Sequence, residues 1–359
     1  MRTTPRQFRS GIALVVVMIA VAVLSLLAAA FAYSMKVETK LAQNANSEVE
    51  LLWLGRSGVE YARYILAQQL AVVNEPYDSL NQKWAGGPGG IGSTNSVLST
   101  LSLDNYPLGD GHFSIKITDL ERKVNINMAD QQMLEQAFIL MGGDASQGEA
   151  VSSSILDWID PDDDTHINGA ESDYYQGLDP PYFAKNAPID DLSELLLVKG
   201  VTPEMYWGSA AAGHTVAAFQ QKQGFAGFNE APESYSVGLK DIFTPISTGR
   251  ININTASSTV LQMIPMVDEN IATEIIRQRA GPDGVDGTDD DTPFANVGEL
   301  INVGLGGQAV QSLSRLCDVH SRTFEVQVDA EVAGYHRHFV AILGRNSPMD
   351  VKVLSFYWE

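Results

Sequence analysis

An uncharged apolar segment near the N-terminus constrains this chain more than any other feature. Residues 12–33 read IALVVVMIAVAVLSLLAAAFAY and contain no charged side chain. At about 1.5 Å per residue, a helix of about 22 residues reaches roughly 33 Å, enough to cross a hydrocarbon core of about 30 Å. The residues before it include Arg2, Arg6 and Arg9 but no acid, so the positive-inside bias predicts a cytoplasmic N-terminus. The rest of the chain is therefore expected on the far side of a membrane.

The boundary between this leader and the helix predicts how the chain is processed. Gly11 is followed directly by Ile12, where the apolar run begins at once. This boundary resembles a prepilin leader, here residues 1–11, which a peptidase removes after the glycine while the helix stays on the mature protein. Two alternatives stay open, because residues 30–32 have the A-x-A form of a secretory cleavage site and an uncleaved single-pass anchor also fits. The apolar run exceeds the ~7–15 residues of a signal-peptide core, which favours prepilin processing.

Helical spacing of apolar residues continues beyond the predicted transmembrane segment. Through residues 34–72, apolar side chains recur at three-, four- and seven-residue steps, namely Val37, Leu41, Ala45, Val49, Leu52, Val59, Ala62, Leu66 and Leu70. The pattern predicts one continuous helix of nearly sixty residues whose amphipathic second half lays one face on a globular domain. This is the outline of a type IV pilin-like subunit. An anchor followed by a separate coiled segment would give a similar pattern.

Composition limits which binding partners and which disulfide bonds the predicted body can have. The chain has 359 residues, 45% of them hydrophobic and 19% charged, which is ordinary globular material. Its formal net charge of −21 repels phosphate backbones and favours metal cations, so we expect no nucleic-acid partner. Cys317 is the only cysteine, so an intramolecular disulfide is excluded even in an oxidising compartment.

Alternating residues at two distant places predict a single split sheet. Residues 112–120 alternate between apolar and polar side chains, as a half-buried strand does. Residues 322–359 supply further alternating runs, with a possible turn at Ala333-Gly334. Together these two stretches form the predicted pilin-like β-sheet domain, which must hold an insertion of roughly 200 residues.

The predicted insertion contains an internal repeat. Each copy has an Asn-x-Asn-x-Ala segment, a helical stretch, an Asp-rich loop and a Pro-led segment that ends in Glu-Leu. The matched segments are 124–129 with 251–256, and 188–195 with 293–300. We predict two related helical units, residues 121–247 and 248–320, and we expect Asn127 and Asn254 to N-cap the helix that follows each of them.

The Asp-rich loops of the two units are candidate calcium sites. Hard oxygen ligands on flexible acidic loops suit Ca²⁺, which takes six to eight oxygens at about 2.3–2.6 Å. Crowded carboxylates would otherwise repel each other and raise each other's pKa. The candidate ligands are Asp160, Asp162, Asp164, Glu171 and Asp173 in the first loop, and Asp283, Asp286, Asp289 and Asp291 in the second. Neither loop has EF-hand spacing, and a solvated acidic loop is the alternative interpretation.

Taken together, these features resemble the minor pseudopilin K family of the type II secretion system over nearly the whole chain. The most specific part is LDWIDPDDD at residues 156–164, followed by GAESDYY at residues 169–175. The resemblance implies an α+β fold, with a pilin-like long N-terminal helix and an antiparallel sheet. It further implies that the large helical insertion consists of two related helix-hairpin-helix or SAM-like units.

The resemblance also implies a function, a location and partners. A family member is a non-enzymatic subunit at the tip of the periplasmic pseudopilus, where it helps to initiate pseudopilus assembly and the export of folded proteins across the outer membrane. Its expected partners are I- and J-like minor pseudopilins, the major pseudopilin filament, the prepilin peptidase and secreted cargo. The anchor would cross the inner membrane once, with the C-terminal body in the periplasm and with Ile12 methylated after leader removal.

One position within the anchor separates K-like subunits from most pilins. If Ile12 is the first mature residue, the fifth is Val16, where most pilins resemble one another in having a glutamate. That carboxylate can pair inside lipid with the N-terminal ammonium of an adjoining subunit, since an unpaired charge in hydrocarbon is costly. Valine offers no such pairing, which fits a subunit at one end of a filament. A helix that is simply apolar throughout would look the same.

Other classes of function have less support in the sequence. There is no G-x-S-x-G, P-loop or H-E-x-x-H motif, so we expect no catalytic residues. His336 and His338 share one face of a predicted strand, where we expect a structural role. The alternative function is a membrane-anchored helix-hairpin-helix protein of DNA uptake, which residues 251–279 also resemble. Pro265 to Val267 occupy the place of its phosphate-binding turn, with Asp268 and Glu269 beside it.

Overall fold

A single helix joins the apolar segment to the folded body. The computed structural model describes residues 10–89, 97–208 and 235–358, and the arginines of the leader lie outside these ranges. Helix α1 runs without interruption over Ser10–Leu70, so the predicted continuous helix is confirmed. By length and composition its apolar part can cross a membrane, and none of that part is buried inside the protein.

The second half of α1 packs on the body over a shorter stretch than the periodicity predicted. Its buried apolar residues are Leu51, Leu54, Val59, Ala62, Ile65 and Leu66. Val37 and Leu41 continue the same spacing but are exposed, because the body covers the helix only from about Ser47 onward. Val49 lies within the covered stretch and is also exposed, at 54%, so it is not on the buried face of the helix. Close approach depends on Gly55 and Gly58, since a Cβ there would lie 2.4 Å from Phe339 and 2.5 Å from Val328.

The nine strands of the described residues form one large sheet and two small pairs. The strands are β1 Tyr106–Leu108, β2 Gly111–Asp119, β3 Val124–Asn125, β4 Phe243–Thr244, β5 Ile251–Asn252, β6 Cys317–Asp318, β7 Thr323–Val332, β8 Tyr335–Ser347 and β9 Asp350–Trp358. The large sheet is antiparallel, in the order β1-β2-β7-β8-β9. Strands β2 and β7 pair along their whole lengths although roughly 200 residues separate them, so the predicted split sheet is confirmed.

The sheet turns its apolar face toward α1 and its polar face outward. In β7, Phe324, Val326, Val328 and Ala330 are buried with their neighbours on β2 and β8 in one core. Strands β7 and β8 meet at Ala333 and Gly334, whose φ values of 50° and 80° suit the primed turns of tight hairpins. The turn expected at these two residues is therefore present.

A second, larger core lies in the insertion. Its α-helices are α2 Gln131–Met141, α3 Ala145–Ile159, α4 Ser172–Gln176, α5 Pro203–Trp207, α6 Leu239–Ile242, α7 Ser258–Gln262, α8 Glu269–Arg279 and α9 Gly307–Leu313. Each predicted unit begins with a two-residue strand that is closed by a parallel partner, β3 with β4 and β5 with β6. Both predicted units therefore begin with the same arrangement of two short parallel strands.

The expected capping role of the repeat asparagines is wrong. Asp130 caps α2, with Oδ1 accepting from the Met133 amide at 2.8 Å, and the Ser257 hydroxyl caps α7. Asn127 and Asn254 come three residues before these caps. The chain changes direction over these three residues before the helix begins. The side-chain amides of Asn127 and Asn254 are therefore available to another partner.

Each repeat asparagine instead clamps the Pro-led segment of its own unit. Asn127 accepts from the Ile189 amide at 2.7 Å and donates to the Ile189 carbonyl at 3.0 Å. Asn254 makes the same pair of hydrogen bonds with the Phe294 backbone, both at 2.9 Å. A side-chain amide carries one donor and one acceptor group side by side, so it satisfies both polar groups of an extended residue. The two units therefore share a specific polar contact.

Buried charges join the sheet to the insertion. Arg345 of β8 is 2% exposed and donates to Asp78 Oδ2 at 2.5 Å. Asp119, at the end of β2, accepts from the Thr255 hydroxyl at 2.5 Å and from the Glu121 amide at 2.8 Å. Glu121 in turn accepts from backbone amides at the start of β7. The junction thus holds three buried carboxylates and one guanidinium.

Candidate metal centre

The first acidic loop lies between the end of one helix and the start of another. Asp157 is on the last turn of α3, and Asp160 is the C-cap of that helix. The chain then passes through the loop to Glu171, the N-cap residue of α4, whose side chain makes no capping hydrogen bond. Because α3 and α4 pack in the same core, their ends bring these carboxylates together.

Two overlapping groups of ligand atoms form at this place. Asp160, Asp162 and Glu171 each offer a carboxylate oxygen, and the three atoms lie within 4.8 Å of one another. Asp157, Asp160 and His166 form the second group by the same measure. Among the residues that the structure describes, only these two groups bring the ligand atoms of three or more Asp, Glu, His or Cys side chains within 4.8 Å of one another.

Several of the converging oxygens are buried without a hydrogen-bond partner among the described residues. They are both carboxylate oxygens of Glu171, Oδ2 of Asp157 and Oδ1 of Asp160. A buried charged group that lacks a partner costs far more than a neutral one. Asp157 and Glu171 are only 0% and 4% exposed, so water contributes little. A cation held between Asp160, Asp162 and Glu171 would give a partner to oxygens of Asp160 and Glu171, and this all-oxygen set suits Ca²⁺.

The electrostatics of the cluster point the same way. Burial, followed by the charges of Asp157 and Asp160, raises the pKa of Glu171 to about 7. Burial also raises the pKa of Asp160, with Asp162 as the next cause. The hydrogen bond between His166 Nδ1 and Asp157 Oδ1, at 2.5 Å, raises the pKa of His166. The two carboxyl pKa values are thus raised first by burial and then by neighbouring negative charges, and a bound cation would oppose both effects.

A glycine allows the loop to pass close to Asp157. A Cβ at Gly169 would lie 2.0 Å from Asp157 Oδ2, nearer than any side chain tolerates. Lys199 donates to the Gly169 carbonyl at 2.9 Å and so fixes the same segment. The Gly-Ala-Glu sequence thus has a physical role, since its glycine lets Glu171 approach the end of α3.

The structure does not bring all predicted ligands of the first loop together. Asp164 and Asp173 are exposed and lie outside the two close groups. The Asp164 amide donates to Asp162 Oδ1 at 3.0 Å, which orients that carboxylate. Conversely, Asp157 was not among the predicted ligands, although its position three residues before Asp160 on a predicted helix puts both on one face.

The second acidic loop is organised differently. Arg279 is 4% exposed and donates to both oxygens of Asp286, at 3.0 and 2.7 Å. Asp291 accepts from the Gly287 amide at 2.8 Å, and the Asp283 amide donates to Asp290. Asp289 is exposed. A guanidinium of the chain itself thus supplies positive charge here, and calcium binding by Asp283, Asp286, Asp289 and Asp291 stays a prediction.

The predicted residues of the anchor lie on the free surface of α1. Ile12 is 74% exposed and Val16 is 59% exposed along the part of the helix that can span a membrane. Gly11 is within the helix, next to the leader residues outside the described ranges. Cleavage after Gly11 stays a prediction.

A long helix with an apolar first half of membrane-spanning length and a second half packed on an antiparallel sheet, together with an acidic helical insertion, has the architecture of a pilin-like subunit. Residues 114–208 match the family model described as type II secretion system (T2SS), protein K. Type II secretion system protein K of Klebsiella pneumoniae is 23% identical over 209 residues, which cover 55% of this chain and 59% of that protein. Protein K of Pseudomonas aeruginosa is 22% identical over 98% of this chain and 93% of its own length.

A solved structure has the same fold. The crystal structure of the GspK-GspI-GspJ complex from the enterotoxigenic Escherichia coli type 2 secretion system matches with a TM-score of 0.62 and 18% identity. The match covers 89% of this chain and 99% of that chain. The chain is thus similar to type II secretion system protein K in the sequence of residues 114–208 and in its overall fold. It spans 59% and 61% of the curated Klebsiella pneumoniae and Aeromonas hydrophila relatives in the aligned regions.

Proposed function

We propose that this chain is a non-enzymatic minor pseudopilin at the tip of the periplasmic pseudopilus of a type II secretion system. There it would help to initiate pseudopilus assembly and the export of folded proteins across the outer membrane. The observation that carries this proposal is α1, an anchor-length helix whose second half is held by a sheet that is split by a helical insertion. In this proposal α1 crosses the inner membrane once and the body lies in the periplasm.

The proposed partners follow from the same architecture. The similar solved structure is titled as a complex of GspK with GspI and GspJ, so I- and J-like minor pseudopilins are the proposed neighbours. The exposed apolar flank of α1, which includes Leu41, Val49 and Trp53, offers them a helix surface. The major pseudopilin and the prepilin peptidase would meet the same helix.

The test is assembly with these two partners. We expect the full chain, co-expressed with I- and J-like subunits, to co-purify with both in detergent. Leu41→Asp, which puts a charge on the exposed flank of α1, should reduce recovery of the complex severalfold. Met128→Asp is the matched control, because Met128 is exposed in the insertion at 64%. Failure of the parent chain to co-purify would contradict the proposal.

We further propose that the two units of the insertion are related helix-hairpin-helix or SAM-like domains. The shared asparagine clamp and the shared two-strand opening support a duplication. A DNA-binding role is disfavoured at the second unit, because Asp268 caps α8 and accepts from the Ile271 amide at 2.9 Å. With Glu269 in the first turn, two carboxylates stand where a phosphate would meet the helix.

We propose that the first acidic loop binds a structural Ca²⁺ ion through Asp160, Asp162 and Glu171, with Asp157 as a further oxygen ligand. The partnerless buried oxygens of Asp157, Asp160 and Glu171 support this proposal. The ion would hold the end of α3 to the start of α4, and thereby rigidify the first unit. Its role would be stability, with no catalytic step.

A further inference from the structure

The outer face of the sheet carries a second cluster of metal-binding side chains, distant in sequence from both acidic loops. They surround an open recess of about 320 Å³ on strands β2, β7 and β8. The side chains are His112, Asp329, Glu331, His336 and His338. The sequence showed only the pair on β8, since His112 precedes that pair by more than 200 residues.

The strand register places three of these residues in a row across the sheet. Glu331 of β7 is the direct neighbour of His112 on β2 and of His336 on β8. Both histidines approach the same carboxylate oxygen. His112 Nε2 lies 3.2 Å from Glu331 Oε2, and His336 Nδ1 lies 3.4 Å from that atom.

We propose that His112, Glu331 and His336 bind one divalent transition-metal ion of the Zn²⁺ type. Zinc bonds of about 2.0–2.1 Å place the ligand atoms of a tetrahedral site roughly 3.3–3.4 Å apart. The two nitrogen–oxygen distances already have this length. The ring nitrogens of His112 and His336 that face Glu331 lie more than 4.8 Å apart, so the site requires one ring to rotate. His336 is the most exposed of the three, with 71% of its side chain accessible, which leaves its ring free to make this movement.

The surroundings of the row favour a metal ion over an anion. His338 Nδ1 lies 2.6 Å from Asp329 Oδ1 on the same face, which adds a second histidine–carboxylate pair beside the first. The neighbouring cation, Arg337, interacts with other groups. Its Nη2 lies 3.6 Å from Glu48 Oε1, and its guanidinium lies over the Trp358 ring. Mixed imidazole and carboxylate ligands suit zinc, nickel or copper, whereas calcium takes oxygen ligands. The fourth position of the ion would face solvent.

The experiment titrates Zn²⁺ into the full chain in detergent, without a histidine tag and with excess Ca²⁺ to occupy the acidic loop. Calorimetry gives the stoichiometry and the affinity. The test variants are His112→Ala and His336→Ala. The controls are His320→Ala, an exposed histidine paired with Asp318 outside the recess, and His166→Ala in the acidic loop. Matching thermal unfolding without Zn²⁺ verifies that each variant is folded.

We expect the parent chain to bind one equivalent of Zn²⁺ at the sheet. Each test variant should weaken that binding at least about tenfold, since even changes in groups around metal ligands cost 10–100-fold at metal sites. Both controls should keep the parental affinity. Parental binding by His112→Ala and His336→Ala, loss confined to His166→Ala, or no binding by the parent chain would overturn the proposal. Visible spectra with Co²⁺ give an independent readout, because tetrahedral bands should vanish in the test variants alone.

Discussion

At the scale of single residues, Glu171 offers the sharpest test of the proposed calcium site. Both of its carboxylate oxygens are buried without a hydrogen-bond partner among the described residues, and its pKa is raised to about 7. If Ca²⁺ binds the folded chain and not the unfolded chain, it raises the free energy of unfolding by RT ln(1 + [L]/Kd), where [L] is the free Ca²⁺ concentration. This is roughly 2.7 kcal/mol at a hundredfold excess over Kd. We therefore expect the full chain to melt several degrees lower in chelator, with poor rescue by Mg²⁺, which demands tight octahedral geometry.

The matching variants are Glu171→Gln and Asp173→Asn. Glu171→Gln should lose most of the calcium-dependent shift and be at least as stable as the parent in chelator, because it removes an unpaired buried charge. Asp173→Asn, close by but exposed, should keep the parental shift. A melting temperature of the parent that does not respond to Ca²⁺ would refute the metal site, and the similarity to type II secretion system protein K would be unaffected.

Asp119 predicts a pH dependence at the junction between sheet and insertion. Burial, with Glu121 as the next cause, raises the pKa of Asp119 to about 7 from an ordinary value of 3.8. The folded state therefore keeps a proton that the unfolded state releases, so stability falls as pH rises from about 4 to about 7. The slope approaches about 1.4 kcal/mol per pH unit for one proton.

Asp119→Asn should flatten this slope, because an amide does not titrate. The measurement is the free energy of unfolding in urea at several pH values, for variant and parent at the same saturating Ca²⁺ concentration, so that the pH dependence of the acidic loop cancels in the difference. Asp110→Asn, at an exposed position next to the same strand, is the control and should keep the parental slope. The parental slope in Asp119→Asn would show that another group dominates.

At the scale of elements, the contact between α1 and the sheet depends on glycine. A Cβ at Gly58 would lie 2.5 Å from Val328 Cγ1 and 3.3 Å from Ile115 Cγ2. Gly58→Ala gains about 1 kcal/mol of helix propensity. Overpacking a tight contact costs about 1–3 kcal/mol, so we expect net destabilisation by urea unfolding.

The double variant Gly58→Ala, Val328→Ala tests the cause. Truncating Val328 opens space for the new methyl group, so the combined loss should be smaller than the sum of the two single losses. If Gly58→Ala is as stable as the parent, helix propensity outweighs the steric effect and α1 can move away from the sheet.

Elements with a strong local pattern and their membership of one split sheet could be predicted from the sequence, whereas specific side-chain contacts between elements could not. The continuous helix, the strand at residues 112–120 and its distant partners follow from periods of 3.6 and 2 in the side chains. The asparagine pattern drew attention to Asn127 but did not predict its clamp, because the partner of Asn127 lies 62 residues away at Ile189. A capping role was the nearest local use for such a residue.

The candidate metal centre was predictable in composition and not in geometry. Asp160, Asp162 and Glu171 come together as predicted ligands, while Asp164 and Asp173 face solvent. Which acids turn inward depends on the packing of α3 and α4 and on the close approach of Gly169. The second loop differs because Arg279, buried in the core of its unit, reaches Asp286. Neither arrangement is encoded in the spacing of the acidic residues alone.

At the scale of the whole molecule, the proposed function requires that α1 stay attached to the body after processing. Gly11→Val should therefore leave the leader on the chain, which mass spectrometry of the purified protein would detect. Ala32→Val is the decisive control. It should have no effect if cleavage follows Gly11, whereas it should block maturation if residues 30–32 are a secretory cleavage site. Normal maturation of Gly11→Val would contradict prepilin processing.

The split sheet has a consequence for the order in which the molecule forms. Strand β2 emerges from the ribosome roughly 200 residues before β7, its hydrogen-bonded neighbour. Closing a flexible chain of that length costs on the order of 5 kcal/mol in entropy. An insertion that has already folded brings its two ends together and removes most of that cost. We therefore expect the insertion to fold first and the sheet that supports α1 to be completed after it.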